Sequence, residues 1–393
     1  MPEPLSPPSV AELRARPAWQ NLWRTALAAG PELRARLVEL VQIPAPTFEE
    51  SVRGDWAARE LRRLTGEEPQ SDELGNRWVS MRGALGPGPR ILLSAHLDTV
   101  FAAGTDCTVR EANGRLIAPG IGDNGAGLCV LLTAAGLLHA AGRPFRGELL
   151  IAANVGEEGL GDLRGIRALC ERFGPSLDGA LALDGHLGQI VGQAVGSVRF
   201  KLSVDGPGGH SWKDFGRPSA IHHLVKLADK LAGLQPPPEP RSSFTIGVIQ
   251  GGTSVNSIAA HAELLLDLRS VAPETLAQLE ADAKARVAGV EIPAGLTVAW
   301  EEIGRRPAGD AALTRQWCEI ARAAHRALGL ETEVTVSSTD ANIPLSRGVK
   351  ASTLGMYIGG EAHTLGEWLD PATLAPGLEL TLLCTLAATE RLG

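Results

Sequence analysis

A chain of 393 residues is too long for one ordinary core, so two domains are expected. With 44% hydrophobic and 21% charged residues the composition is that of a soluble globular protein, and a formal charge of −8 speaks against nucleic acid or an anionic membrane as the main partner. Cys107, Cys129, Cys170, Cys318 and Cys384 are scattered, odd in number and lack a CxxC, which points to reduced thiols and away from a disulfide framework or a cysteine zinc site.

The first residues, MPEPLSPPSVAELRARPAW, place prolines and charges where a signal peptide needs an apolar core. The longest apolar stretch, 127–142, is Ala/Gly-rich and holds His139. It reads as a buried helix, since a membrane span needs roughly 20 apolar residues. A cytoplasmic protein with no membrane partner is the expectation. Residues 9–42 carry Leu13, Trp19, Leu22, Leu27, Leu33, Leu37, Leu40 and Val41 near helical spacing. The run 43–47 (IPAPT) breaks that pattern, and 48–64 resumes it. Strands are predicted at 76–82 and 90–95, separated by a Gly/Pro turn, and alternating helix and strand patterns to about residue 185 favour an α/β layered domain.

The apolar run Ile91-Leu92-Leu93 ends in His96 and Asp98, two residues apart and so on one side of an extended chain. A ligating imidazole commonly hands its other N–H to a carboxylate; the bland alternative is a polar strand end with a capping Asp. Next, Gly120, Gly122 and Gly125 match GxGxxG, the dinucleotide fingerprint. Asp123 stands inside that loop, where a pyrophosphate would need N–H groups and no anion. The competing readings are a sharp turn that presents Asp123, or Asp123 as a helix cap. A third apolar run, 147–154, leads to Glu157-Glu158, a solvated pair or one metal-binding carboxylate beside a general base. A fourth, 179–183, ends in Asp184. Acids and a histidine thus collect at strand ends, the edge where open α/β sheets gather ligands.

From about 194 to 303 the pattern becomes strand, helix, two strands, helix, strand, a ferredoxin-like βαββαβ unit with the stiff connector QPPPEP at 235–240. His210 sits on a glycine turn, on its own a local hydrogen-bonding residue. Asn256 follows GGTSV, and Arg269 offers a fork for a substrate carboxylate or a salt bridge to Asp267 or Glu263. His222 and His223 are adjacent on a helix and diverge. After Gly304 the α/β pattern returns with helix 310–328, strands 332–336 and 351–355, the loop carrying His363, and a closing helix 371–392. His96, Asp123, Glu158, Asp184 and His363 together suit a borderline-soft cation, with one carboxylate able to bridge two of them.

The stretches SAHLDTV, GIGDNGAG, NVGEEGLGD, LALDG, GPGGHSWKDFGRP, GGTSVNSIAAHAELLLDLRS, STDAN and GEAHT resemble the M20 family of co-catalytic zinc peptidases and deacylases, from about Arg90 onward. The resemblance implies a zinc-exopeptidase-like α/β catalytic domain, with a mixed sheet flanked by helices, over 1–193 and 305–393. A lid and dimerisation domain over 194–304 would interrupt it. Two Zn2+ per subunit are implied, with Mn2+ or Co2+ as alternatives. His96 and Asp184 would hold one, Glu158 and His363 the other, and Asp123 both. Asp98 would orient His96, Glu157 would be the general base, His210 would stabilise the oxyanion, and Asn256 and Arg269 would grip a substrate carboxylate. Asp184, which tends to be Glu in many deacylases, and the GGHSWKDFGRP stretch are similar to the peptidase T-like di- and tripeptidase branch. Short peptides are the expected substrates and N-acyl amino acids the runner-up, with a homodimer as the assembly. Two rival classes are a nucleotide-dependent enzyme using 120–125 and a binding protein with a degenerate site; against the second, no ligand position is missing.

Overall fold

The computed structural model describes residues 9–392, and residues 1–8 of the proline-rich start lie outside them. The chain divides into two compact units, 1–194 with 310–393, and 195–309.

The first unit is built on an eight-stranded mixed sheet. Its order is Gln70–Ser71, Arg77–Arg82, Glu148–Asn154, Arg90–His96, Gly179–Leu183, Lys350–Leu354, Gln189–Ala194 and Glu333–Ser337. The four strands from Glu148–Asn154 to Lys350–Leu354 run parallel, so their carboxyl ends share one edge. Both faces of the sheet are covered. Ile91, Leu93 and Ala95 enter the larger core with the helices Gly127–Ala140, Ala311–Leu328 and Leu374–Arg391. Leu92 and Leu150 turn to the opposite face, where Ile166, Leu169 and Ile343 meet them. Burial on both faces is why these strands read as unbroken apolar runs and not as alternation.

Two helices, Ile121–Ala140 and Pro371–Arg391, are long and apolar enough to cross a membrane, yet 89% and 83% of their apolar windows are buried inside the protein. They are core helices of this unit.

Several elements differ from the sequence reading. The stretch expected to be helical over 9–42 is broken into Val10–Ala15, a short 3-10 helix Pro17–Trp19 that runs into Gln20–Ala28, and Gly30–Val41, because Pro17 and Pro31 each restart a helix in its first turn. The strand Gln189–Ala194 was not anticipated, nor was a small four-stranded sheet of Arg110–Ala112, Arg115–Ile117, Ile358–Gly360 and Trp368–Asp370. Three-residue strands carry no readable period.

Arg53, on the helix Ser51–Thr65, is 2% exposed and donates to the carbonyls of Ile43, Leu97 and Val41, tying the loop before the helix to the end of the central strand. Burial pulls its guanidinium down to about 10. Arg53→Met leaves these buried acceptors bare and is expected to cost roughly 3 kcal/mol or more, read as a lower urea midpoint. A midpoint equal to wild type would remove this tie from the account.

The second unit is an antiparallel four-stranded sheet in the order Ser242–Gly251, His261–Ser270, Gly196–Asp205, Thr297–Arg306. Its two helices, Ala220–Ala232 and Pro273–Ala288, share a core with Val198, Phe200, Leu202, Val204, Leu264, Leu266 and Leu268. Here the strands do alternate, since Arg199 and Lys201 point away from the buried face. The last strand runs to Arg306, so this unit ends a few residues beyond the change of pattern expected near 304.

Candidate metal centre

The parallel strands deliver their polar residues to one place. His96 closes Arg90–His96, Glu157 and Glu158 follow Glu148–Asn154, and Asp184 follows Gly179–Leu183. Asp123 comes from the turn Ile121–Ala126, which a cis Asp123–Asn124 peptide interrupts. His363 reaches in from the loop after Ile358–Gly360 with a left-handed backbone, φ 65°. That turn packs hard on the sheet: Asn124 Nδ2 donates to the Leu183 carbonyl at 2.9 Å, and Gly127 leaves no room for a Cβ against Asn124 and Leu183.

Among the described residues three triads form; two share one carboxylate, and the third joins His96, Glu157 and Glu158. His96, Asp123 and Asp184 have ligand atoms within 4.8 Å of one another, as do Asp123, Glu158 and His363. Asp123 faces both ways. Its Oδ1 lies 3.1 Å from His96 Nε2, and its Oδ2 lies 3.1 Å from His363 Nε2, which is also 3.2 Å from Glu158 Oε1. His96 Nε2 and Asp123 Oδ1 are buried and make no hydrogen bond, although they face each other. Two buried polar atoms left without a hydrogen bond, one nitrogen and one oxygen, fit a divalent cation.

The charges describe the same crowding. Burial, reinforced by the negative charge of Asp123, pushes the Asp184 carboxyl up to about 8. The Asp123 and Glu158 carboxylates hold the His363 imidazole up at about 10. Burial works to lower His96, but Asp123 and Asp98 outweigh it and leave the ring well above its ordinary value. Burial likewise works to raise Asp98, and the adjacent His96 with the Glu158 and Glu157 amides brings it down to about 2.

Stability of the metal-free protein is therefore expected to fall as pH rises. Asp184 favours its protonated form in the fold, a contribution complete below 3.8 and lost as pH passes about 8. Charged His363 adds a contribution complete below 6.5 and lost through about 10. Asp98 has the opposite sign, present above 3.8 and lost toward about 2. Tm of chelated protein should drop from about pH 6 to about pH 9, whereas a flat or rising Tm would contradict these protonation states of Asp184 and His363.

Asp98 does more than the sequence suggested. His96 Nδ1 lies 3.0 Å from the main-chain carbonyl of Asp98 and 3.5 Å from its carboxylate. The carboxylate is occupied elsewhere: it accepts from the Glu157 and Glu158 amides at 3.0 Å each and from Thr47 Oγ1 at 2.9 Å. One residue thus fixes both the imidazole and the acidic turn. Glu50 holds that turn from the other side, accepting from the Gly156 amide at 3.1 Å and from Arg164 at 2.7 Å.

Glu367 was missed. Its buried carboxylate accepts from the Gly120 amide at 2.9 Å and from the Gly122 and Asp123 amides at 2.8 Å each. Burial raises it to about 7 against the pull of those amides. The glycine loop does bind an anion through its N–H groups, but the anion is part of the chain, which leaves these amides spoken for when a dinucleotide is considered. The only signal in the sequence was an acid four residues after His363.

The other three predicted residues belong to the second unit. His210 Nδ1 accepts from the Trp212 and Lys213 amides at 3.2 and 3.4 Å, so Nε2 is the protonated nitrogen. Asn256 Oδ1 accepts from Ser254 Oγ at 2.7 Å, and its carbonyl accepts from the Ser211 amide. Arg269 Nε donates to Asp267 Oδ2 at 2.6 Å, the salt bridge weighed from the sequence, while Arg199 holds the other Asp267 oxygen at 3.1 Å.

Comparison with known proteins gives this cluster its setting. A succinyl-diaminopimelate desuccinylase of Corynebacterium glutamicum is 28% identical over 195 residues, 49% of this chain and about half (52%) of that protein. Among solved structures, the aminopeptidase PepT of Bacillus cereus superimposes with a TM-score of 0.72 at 23% identity, covering 92% of this chain and 98% of that one. A tripeptidase of Staphylococcus aureus gives 0.72 at 22% identity, covering 92% and 99%. The sequence model of peptidase family M20/M25/M40 matches residues 92–386, a span that holds every candidate site residue, and the chain belongs to that family.

Proposed function

We propose that the protein is a co-catalytic di-zinc exopeptidase acting on short peptides, with Mn2+ or Co2+ able to replace zinc. The observation that carries this is Asp123, whose two oxygens are turned to two different histidines, each within a separate triad. His96 and Asp184 would hold one cation, Glu158 and His363 the other, and Asp123 both. Bound there, such a pair supplies Lewis acidity toward an amide carbonyl and acidifies a water. Glu157, 6% exposed and beside Glu158, takes a proton from the attacking water and returns it to the leaving amine. His210, protonated on Nε2, is a donor suited to the developing oxyanion, and Arg269 and Asn256 suit a substrate carboxylate.

The peptidase assignment leans on Asp184 and on the fold shared with PepT and the tripeptidase. Hydrolysis of N-acyl amino acids is the second reading, favoured by the stretch similar to the desuccinylase. A homodimer through the second unit is supported by its open edge strand Ser242–Gly251, where Val248 and Ile249 are 41% and 55% exposed. A cytoplasmic setting suits the free, mostly buried cysteines.

Metal analysis and assays on dipeptides, tripeptides and N-acetyl amino acids, before and after chelation, test the proposal. Loss of peptide cleavage on chelation, restored by zinc, manganese or cobalt, is expected. Full turnover by metal-free protein would sink both readings, and turnover of N-acetyl amino acids alone would select the second.

A further inference from the structure

We propose that Glu367 is a positioning residue that sets the shared carboxylate Asp123 for both cations, an inference that rests on the two-cation reading above. Three of its interactions are with the loop that carries Asp123. The carboxylate accepts from the amides of Gly120, Gly122 and of Asp123 itself. Its own carbonyl accepts from the Ala118 amide at 3.0 Å, so side chain and main chain grip one segment from both ends. Immediately beyond it, Trp368 and Leu369 pair antiparallel with Ile117 and Leu116 and fix the register of that grip.

The loop has no slack to compensate if the grip is lost. Gly120 turns it with φ 71°, and the hydroxyl of Tyr357 packs against Gly122 so closely that a Cβ there would collide with it. Glu367 is 1% exposed, and its bonds to the Gly120 and Gly122 amides are buried with it. It also lies four residues after His363, whose Nε2 is 3.1 Å from Asp123 Oδ2. The segment 363–367 therefore contacts Asp123 twice: His363 meets the carboxylate, and Glu367 holds the amide. Aiming of Asp123 and placement of His363 are one mechanical unit. Groups that orient metal ligands from behind change metal affinity by about 10- to 100-fold when altered.

The test compares wild type with Glu367→Gln, in which an amide N–H2 replaces one accepting oxygen and confronts a loop N–H. Zinc binding by calorimetry and the visible spectrum of the cobalt-loaded protein are the readouts, beside kcat and KM. Zinc affinity is expected to weaken by about 10- to 100-fold, the cobalt spectrum to change, and kcat to fall with KM little altered. Glu367→Asp, which keeps the charge but shortens the reach, should fall between and serves if the glutamine variant does not fold. Glu379→Gln is the control, a buried carboxylate paired with Arg14 away from the cluster, and should lower Tm without changing zinc affinity. Folded Glu367 variants with wild-type zinc affinity, cobalt spectrum and kcat would overturn the proposal. Wild type that binds no zinc or cobalt would overturn the two-cation reading instead.

Discussion

Glu157→Gln is expected to keep both cations and lose turnover, with kcat down by roughly 10²- to 10⁴-fold. Glutamine has the same shape, and the backbone of this turn is held independently of the side chain. The Glu157 and Glu158 amides each donate to an oxygen of Asp98, and Glu50 accepts from Gly156. The substitution therefore removes a proton acceptor while leaving the turn in place. Glu158, the neighbour that faces His363 at 3.2 Å, is untouched, so metal content should stay at the wild-type level. Steady-state kinetics paired with elemental analysis decide the matter. A near-normal kcat would reject Glu157 as the base, and loss of metal would recast it as a ligand, a role its closeness to His96 and Glu158 makes a real competitor.

Asp123→Asn should do more damage. An asparagine carries one oxygen where two are needed, so either His96 or His363 would meet an N–H2 group. The negative charge common to both triads also disappears. Zinc affinity is expected to weaken by more than about 100-fold, beyond what changes in supporting groups produce, with activity falling below detection. Stoichiometry is the informative readout, because a shared ligand predicts that both cations are affected. A variant that lost one cation and kept the other at wild-type affinity would show that Asp123 serves a single site.

Much of this was legible from the residues. Strands buried on both faces announce themselves as apolar runs, and polar residues just past such runs must lie at the sheet edge, which placed His96, Glu157, Glu158 and Asp184. The second unit was readable because its strands alternate and its helices are amphipathic. What escaped was whatever depends on main-chain atoms or on very short pairings. Nothing in the sequence indicates that Asp98 meets His96 chiefly through a carbonyl, or that Arg53, on an otherwise charged helix, turns inward to hold three carbonyls. Glu367 escaped for a related reason. A carboxylate bound by peptide N–H groups has no partner side chain to betray it, and the GxGxxG spacing drew attention to a foreign anion instead.

The candidate ligands come from both sides of the inserted unit: His96 to Asp184 before it, His363 after it. During synthesis, a nascent chain that has emerged only through Asp184 holds part of a cradle, with Asp123 lacking its second histidine. Tight loading must then await emergence of His363 from the ribosome, and fragments that stop short of residue 363 should be poor scavengers of zinc.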